Sequence, residues 1–272
     1  MDGRELMEVA LAAARAAAAV HRAYLGRVAV DQWSEKGTAD FVTHVDREAE
    51  RAVVELVHAR FPDHGFLAEE GTLPDAAEQV GASADADWVW IVDPLDGTTN
   101  FLHGYPMYAA SVAVTYRGEL RAGAVVATAT NEEWCAYLGG GAFKDGRSIR
   151  VSEIADLRRG LIGTGFPFKA IDRLPEYLAQ FDRVLRNSSG VRRAGSAAID
   201  LCHVATGYFD GFWELSLLPW DVAAGTLIVR EAGGLVTRFN GDPDVLGPGP
   251  GEIVAGNPAI HARLIELLGN GG

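Results

Sequence analysis

Cysteine is nearly missing from this chain, with Cys135 and Cys202 alone in 272 residues, far apart and each in apolar surroundings. That excludes a disulfide-stapled scaffold and a cysteine-rich zinc site, and it reads as two reduced core thiols. Basic clusters are also lacking: 24 Lys and Arg stand against 37 Asp and Glu, a formal charge of -13. Nucleic-acid backbones are held mainly by grouped Lys and Arg, so nucleic-acid binding is not expected. Long apolar runs are missing as well. The alanine-rich first segment is interrupted by Arg15 and His21, so neither a signal peptide nor a membrane span is expected, and the expected location is cytoplasmic. No H-E-x-x-H or Cys-x-x-Cys supports a zinc site, no G-x-x-x-x-G-K-[ST] a nucleotide loop, and no G-x-S-x-G a serine hydrolase.

What is present is a composition 48% apolar, enough for a large core. Residues 2 to 25 are helix-forming, with Asp2 and Glu5 at capping-box spacing. Val45, Ala49, Val53, Leu56 and Val57 recur at helical spacing, which predicts a second helix over about 43 to 60, before Pro62. "EKGTADF" reads as a loop, and residues 71 to 87 as a surface loop. "WVWIVD" (88 to 93) fits a buried strand ended by Pro94. "YAASVAVTY", "AGAVVAT", "EWCAYLG" and "SIRVS" read as a meander of antiparallel strands.

From Leu161 the pattern is strand, helix (174 to 186), "GVRRAG", helix in "SAAIDLCHVATG", strand "YFDGFWE", helix in "WDVAAGTLIVREAGG" and strand "LVTRF". "GPGPGE" (247 to 252) reads as a loop, and Asn257 with Pro258 opens a last helix. The organisation is α/β layered, with an N-terminal half over 1–155 and a C-terminal half over 156–272 forming one compact unit.

Charge is concentrated where the pattern breaks. "IVDPLDGTTNF" puts Asp93 and Asp96 between a strand end and a helix start at Gly97. Taken alone this is a turn with a helix N-cap. The same geometry would set two carboxylates beside free helix N–H groups. Carboxylates about 4 Å apart repel by roughly 4 kcal/mol at an effective dielectric of about 20, so they share a proton or bind a divalent metal. An oxygen-only donor set suits Mg²⁺. "FLAEEGT" contributes Glu69 and Glu70, "FVTHVD" contributes Asp46 three residues after Thr43, and "LLPWDVAAG" contributes Asp221 at another helix start. Each of these alone is explained by a solvated turn or a cap.

Together, "DFVTHVD", "FLAEEGT", "WIVDPLDGTTNF", "GTGFPF", "RRAGSAAIDLCHVATGYFDGFWE" and "PWDVAAGTLIVREAGG" resemble the inositol monophosphatase family of Mg²⁺-dependent, lithium-sensitive sugar phosphatases. The resemblance implies an α-β-α-β-α sandwich, usually a homodimer, that hydrolyses a small phosphorylated polyol without an organic cofactor. It implies Glu69, Asp93 and the Leu95 carbonyl as ligands of a first Mg²⁺, and Asp93, Asp96 and Asp221 as ligands of a second. Glu69 would also support a third. Gly97 and Thr98 match backbone donors to phosphate, and the Thr98 hydroxyl with Asp46 matches the pair that activates water. Gly195, Ser196, Ala197 and Glu214 match polyol-contacting positions, where Asp96 and Asp221 also face ring hydroxyls. Ala68 stands where the family often has glycine, and "KGTADFVT" lacks a proline that many members carry. Neither change removes a ligand.

The expected activity is hydrolysis of inositol-1-phosphate and related monoesters. Histidinol phosphate, fructose-1,6-bisphosphate and 3′-phosphoadenosine 5′-phosphate are the competing substrates. Thr99 counts against the adenosine bisphosphate, because relatives acting on it commonly carry lysine there. A mainly regulatory binding role on the same fold is the alternative of a different class.

Overall fold

The computed structural model describes residues 1–29, 33–37, 40–71, 86–247 and 249–269. Its elements begin with α1 (Gly3–Tyr24), β1 (Ser34–Gly37), β2 (Asp40–Val42), α2 (His44–Arg60), β3 (Gly65–Ala68), β4 (Trp88–Asp96) and α3 (Thr98–Leu102). A meander follows: β5 (Ala109–Tyr116), β6 (Glu119–Ala127), β7 (Glu132–Tyr137), β8 (Gly141–Lys144) and β9 (Arg147–Ser148). Then come β10 (Leu161–Thr164), α4 (Leu174–Asn187), β11 (Gly190–Arg192), α5 (Ala197–Thr206), β12 (Gly211–Leu217) and α6 (Pro219–Glu231). The chain closes with β13 (Leu235–Thr237), β14 (Gly251–Gly256) and α7 (Pro258–Gly269).

Strand alternation sorts these elements into layers. In the seven-stranded sheet β3-β4-β5-β6-β7-β8-β9, Trp90, Val92, Val112 and Ala124 point to one face. There they pack with Ala10, Ala13, Ala14 and Ala17 of α1 and with Val53 and Val57 of α2. The small alanine face lets α1 lie close to the sheet. Ile91, Ala113 and Val125 point the other way, onto Ile199 of α5 and Ala223 and Leu227 of α6. Those two helices are shared with the five-stranded sheet β11-β10-β12-β14-β13, which adds Phe212, Ile253 and Ala255 to the same core. On its far side Trp213 and Val254 meet Tyr177 and Val184 of α4 and Ile260 and Leu264 of α7. The order helix, sheet, helix, sheet, helix is the α-β-α-β-α sandwich. Cys135 and Cys202 are free and buried, and burial pushes the Cys135 thiol up to about 11. No helix among the described residues is long and apolar enough to cross a membrane.

Four local expectations change. "EKGTADF" contains the antiparallel pair β1 and β2, not only loop. Pro94 does not end β4: pairing with β5 runs through Asp93↔Ser111, lapses, and resumes at Asp96↔Ala109. A bulge accommodates the missing proline N–H. β8 and β14 are strands that glycine-rich sequence concealed, and "GPGPGE" therefore overlaps β14 at Gly251 and Glu252. Of "SIRVS" (148 to 152) only Ser148 is in a strand, as the last residue of β9 (Arg147–Ser148) at a sheet edge. The loop expected over 71 to 87 lies mostly outside the described residues.

Candidate active site

The register of the first sheet places the acidic residues. β3 runs parallel to β4 with Ala68 opposite Val92, and the Glu69 amide extends that ladder to Val92 O at 3.2 Å. Glu69 thus emerges beside Asp93. Behind it the buried Glu50 carboxylate accepts the Glu70 amide at 2.7 Å and anchors the acidic turn to α2. In the β4 bulge, the Leu95 amide donates to Asp93 Oδ1 at 3.0 Å.

Asp96 is held from the opposite side. The Ser196 hydroxyl and the Ala198 amide, both at the start of α5, donate to its Oδ2 at 2.6 and 2.8 Å. Asp221 sits in the first turn of α6 and accepts the Leu218 amide at 2.7 Å. That helix comes close to the sheet because Gly123 faces Ala224: a Cβ there would lie 3.0 Å from the Ala224 Cα. Each bond commits a carboxylate oxygen and so fixes the rotation of the group.

Gly97 is the hinge between strand and helix. Its φ is +87°, and an added Cβ would sit 2.8 Å from Met107 O, so both conformation and space require glycine. The helix it opens, α3, has five residues. The Thr98 hydroxyl lies 3.1 Å from Asp46 Oδ1 and 3.0 Å from Leu95 O, so two acceptors compete for one proton. Asp46 in turn closes a capping box on α2, its Oδ2 accepting the Thr43 amide and hydroxyl at 2.8 Å each. Cap and site are therefore one arrangement.

Burial and crowding shape the electrostatics. Burial raises the Asp46 carboxyl, against hydrogen bonds from Thr43 and Thr98 that favour the charge. Asp93 is raised well above its ordinary value by burial and then by Glu69, Asp96 and Asp221. Burial and Asp96 push Asp221 up to about 8, and burial, Asp221 and Asp96 do the same to Glu214. A cation held among these carboxyls would favour their charged forms.

Glu69, Asp93, Leu95, Asp96, Gly97, Thr98, Gly195 and Asp221 line one cavity of about 300 Å³. Among the described residues no three acidic, His or Cys side chains converge into a preformed metal cage. The donor set nevertheless fits Mg²⁺, which retains waters and substrate oxygens and rarely takes an all-protein cage.

The remaining sequence candidates sit behind the wall. Ser196 is 1% exposed and caps α5, and Ala197 is the buried first residue of that helix. Asp46 is 2% exposed and reaches the cavity through Thr98. Glu214 lies against Gly165, where a Cβ would fall 1.8 Å from its Oε1.

The structure adds residues that the motifs did not single out. Lys169, Arg193, Phe166 and Phe168 line the cavity opposite the acids. The Arg193 guanidinium lies over the Phe166 and Phe168 rings at 5.3 and 5.2 Å. Lys169 favours the charged forms of Asp96, Glu214 and Asp221. Asn100 Nδ2 lies 2.6 Å from Met107 O and 3.0 Å from Ala194 O, tying the Gly97 turn to the Gly195 turn. Phe166, Phe168 and Arg193 lie inside "GTGFPF" and "RRAG", which were quoted for the resemblance but given no role, and Lys169 directly follows the first; their cation-aromatic composition was the available signal.

A sandwich of this order with carboxylates at a strand bulge and a helix start defines the class. The sequence pattern of the inositol monophosphatase family matches residues 2–271, and the chain belongs to that family. The Nus factor SuhB of Pseudomonas aeruginosa is 43% identical over 97% of this chain and 95% of its own length. The inositol-1-monophosphatase of Rhizobium meliloti is 44% identical over 89% of this chain and 88% of its own. Among solved structures, the extragenic suppressor protein suhB from Bartonella henselae superposes with a TM-score of 0.89 at 39% identity, covering 98% of this chain and 100% of that one.

Proposed function

We propose that this chain is a Mg²⁺-dependent phosphatase that hydrolyses inositol-1-phosphate and related small phosphorylated polyols, working as a lithium-sensitive homodimer. The observation that carries the reading is the joining of Glu69, Asp93, Asp96 and Asp221 at one cavity beside the glycine turn at Gly97. Bound Mg²⁺ would offset the acidic charge, lower the pKa of water and stabilise the leaving oxygen. Glu69, Asp93, Asp96, Asp221 and the Leu95 carbonyl would hold it. Gly97 and Thr98 would offer amide N–H groups to the phosphate, since the first N–H groups of a helix lack intrahelical partners. The Thr98 hydroxyl and Asp46 would orient water and take its proton as the P–O ester bond breaks, and burial of Asp46 strengthens it as a base. Gly195, at the cavity wall, would face the polyol, with Ser196, Ala197 and Glu214 behind it shaping that end of the site.

The test is phosphate release from inositol-1-phosphate, histidinol phosphate, fructose-1,6-bisphosphate and 3′-phosphoadenosine 5′-phosphate, with and without Mg²⁺. Fastest Mg²⁺-dependent release from the inositol ester is expected, and Asp96→Asn should nearly abolish it in a folded protein. Absence of release from every ester, with metal bound, would remove the enzyme reading. The Pseudomonas relative's name, Nus factor, favours a second reading in which the chain acts chiefly as a binding or regulatory partner. That reading predicts the negative result.

A further inference from the structure

His21 lies in the last turn of α1 and is completely buried. Its ring reaches out of the helix layer to the acidic bulge: Nε2 lies 2.8 Å from Pro94 O, and Nδ1 lies 2.9 Å from Thr128 Oγ1, just beyond the end of β6. Pro94 O accepts only, so Nε2 carries the proton. In the neutral ring Nδ1 then accepts the Thr128 hydroxyl, and the tautomer is fixed by its two partners. The ring is wedged against Phe101 and Tyr108, with centroids 6.0 and 6.1 Å away.

The position of this contact gives it meaning. Between Asp93 and Asp96 the β4–β5 ladder lapses, and Pro94 has no N–H of its own. A buried carbonyl in that gap needs a donor from elsewhere. The Leu95 amide is taken by Asp93 Oδ1 and the Leu95 carbonyl by the Thr98 hydroxyl. His21 supplies the donor to the third polar group, from 73 residues away in sequence. With that bond the peptide joining Pro94 to Leu95 is held at its oxygen, and Asp93 and Leu95, on either side of Pro94, are held with it. Without the bond the peptide would turn to find another donor.

We propose that His21 is a positioning residue for the metal-holding bulge: its Nε2–H fixes the Pro94 carbonyl and thereby presents Asp93, the Leu95 carbonyl and Asp96 to the divalent cation. This rests on the metal reading of those residues given above. Groups that orient metal ligands from outside the coordination shell typically change affinity by about ten- to a hundredfold when removed.

The test is Mn²⁺ affinity, read by electron paramagnetic resonance with Mg²⁺ in competition, on the full chain and without substrate. Thermal unfolding is followed in parallel. His21→Phe keeps an aromatic ring and loses both hydrogen bonds, and should weaken binding by about ten- to a hundredfold. His21→Gln places an amide N–H near the Nε2 position and should stay within about threefold of the parent. His21→Asn, whose amide reaches only the Nδ1 position, should resemble the phenylalanine variant. Parent-like affinity in a folded His21→Phe protein overturns the proposal. If that variant does not fold, the glutamine and asparagine variants decide: tighter binding by glutamine supports the proposal, and equal binding overturns it. A parent protein that binds no divalent cation would instead refute the metal reading itself, and the role of His21 with it.

Discussion

Ser196 and Asp96 are 100 residues apart in sequence, and the hydroxyl of the first donates to the carboxylate of the second across 2.6 Å. The same hydroxyl accepts the Ile199 amide at 3.3 Å as the cap of α5. One side chain therefore starts a helix and orients a proposed metal ligand. Ser196→Ala should lose about 1–2 kcal/mol of stability, the range for a lost cap with a lost charge-assisted bond. It should also need more Mg²⁺ for half-maximal phosphate release. Urea unfolding and a Mg²⁺ titration check both, and a change in neither would show that the bond orients nothing.

Gly97 and Gly118 both have positive φ, +87° and +81°, but only Gly97 has backbone atoms where a Cβ would go. Gly118→Ala carries the conformational cost alone, about 1 kcal/mol. Gly97→Ala adds a clash with the Met107 carbonyl and should lower the melting temperature further, with loss of phosphate release. Equal melting temperatures in the two variants would contradict the close approach.

Thr98→Val keeps the shape of the side chain and removes the hydroxyl shared by Asp46 and Leu95. On the proposed mechanism kcat falls by about a hundredfold or more, with KM little changed. Thr98→Ser should recover most of the rate. Steady-state kinetics on inositol-1-phosphate provide the measurement, and a fully active valine variant would remove the hydroxyl from the mechanism.

The carboxyls of Glu214 and Asp221 ordinarily titrate near about 4 and are pushed up to about 8 here by burial and by acidic neighbours. Between those values the folded chain keeps protons that the unfolded chain has released. Without metal, stability from these groups is therefore full below about pH 4 and is lost as pH rises toward about 8. A divalent cation competes with the same protons. Thermal unfolding in Mg²⁺ and in chelator should thus diverge as pH rises from about 4 toward about 8, with the larger Mg²⁺ stabilisation at the higher pH. A stabilisation that shrinks with pH would contradict this linkage.

Gly165 stands against the Glu214 carboxylate, a flexible side-chain end, so Gly165→Ala should displace Glu214 and leave the fold intact. Both Gly165→Ala and Glu214→Ala should shift the ranking of phosphate esters in the same direction. Comparing kcat/KM over the ester panel checks this. Unequal shifts would detach Gly165 from the polyol end of the site.

Much of the fold was legible along the chain. The apolar spacing of α2, the cap at Asn257 and the apolar runs of β5 and β6 set between turns are local signals, which pattern and propensity read. β8 and β14 were hidden because glycine weakens the strand signature, while their ladders come from neighbours distant in sequence. The acidic positions were legible for a different reason: a buried carboxylate is costly without a partner, so several of them at strand ends and helix starts mark a site.

Residue order alone therefore specified the helices, most strands and the identities of the acidic candidates, because each of these is written in spacing or in chemistry. The packed layers specified the rest. Parallel pairing of β3 with β4 set Glu69 beside Asp93, and close approach of α6 to Gly123 set the place of Asp221. The bulge at Pro94 opened a carbonyl to His21. None of these follows from propensity, because a hydrogen bond or a close contact between distant segments exists only once the layers that carry them have been stacked.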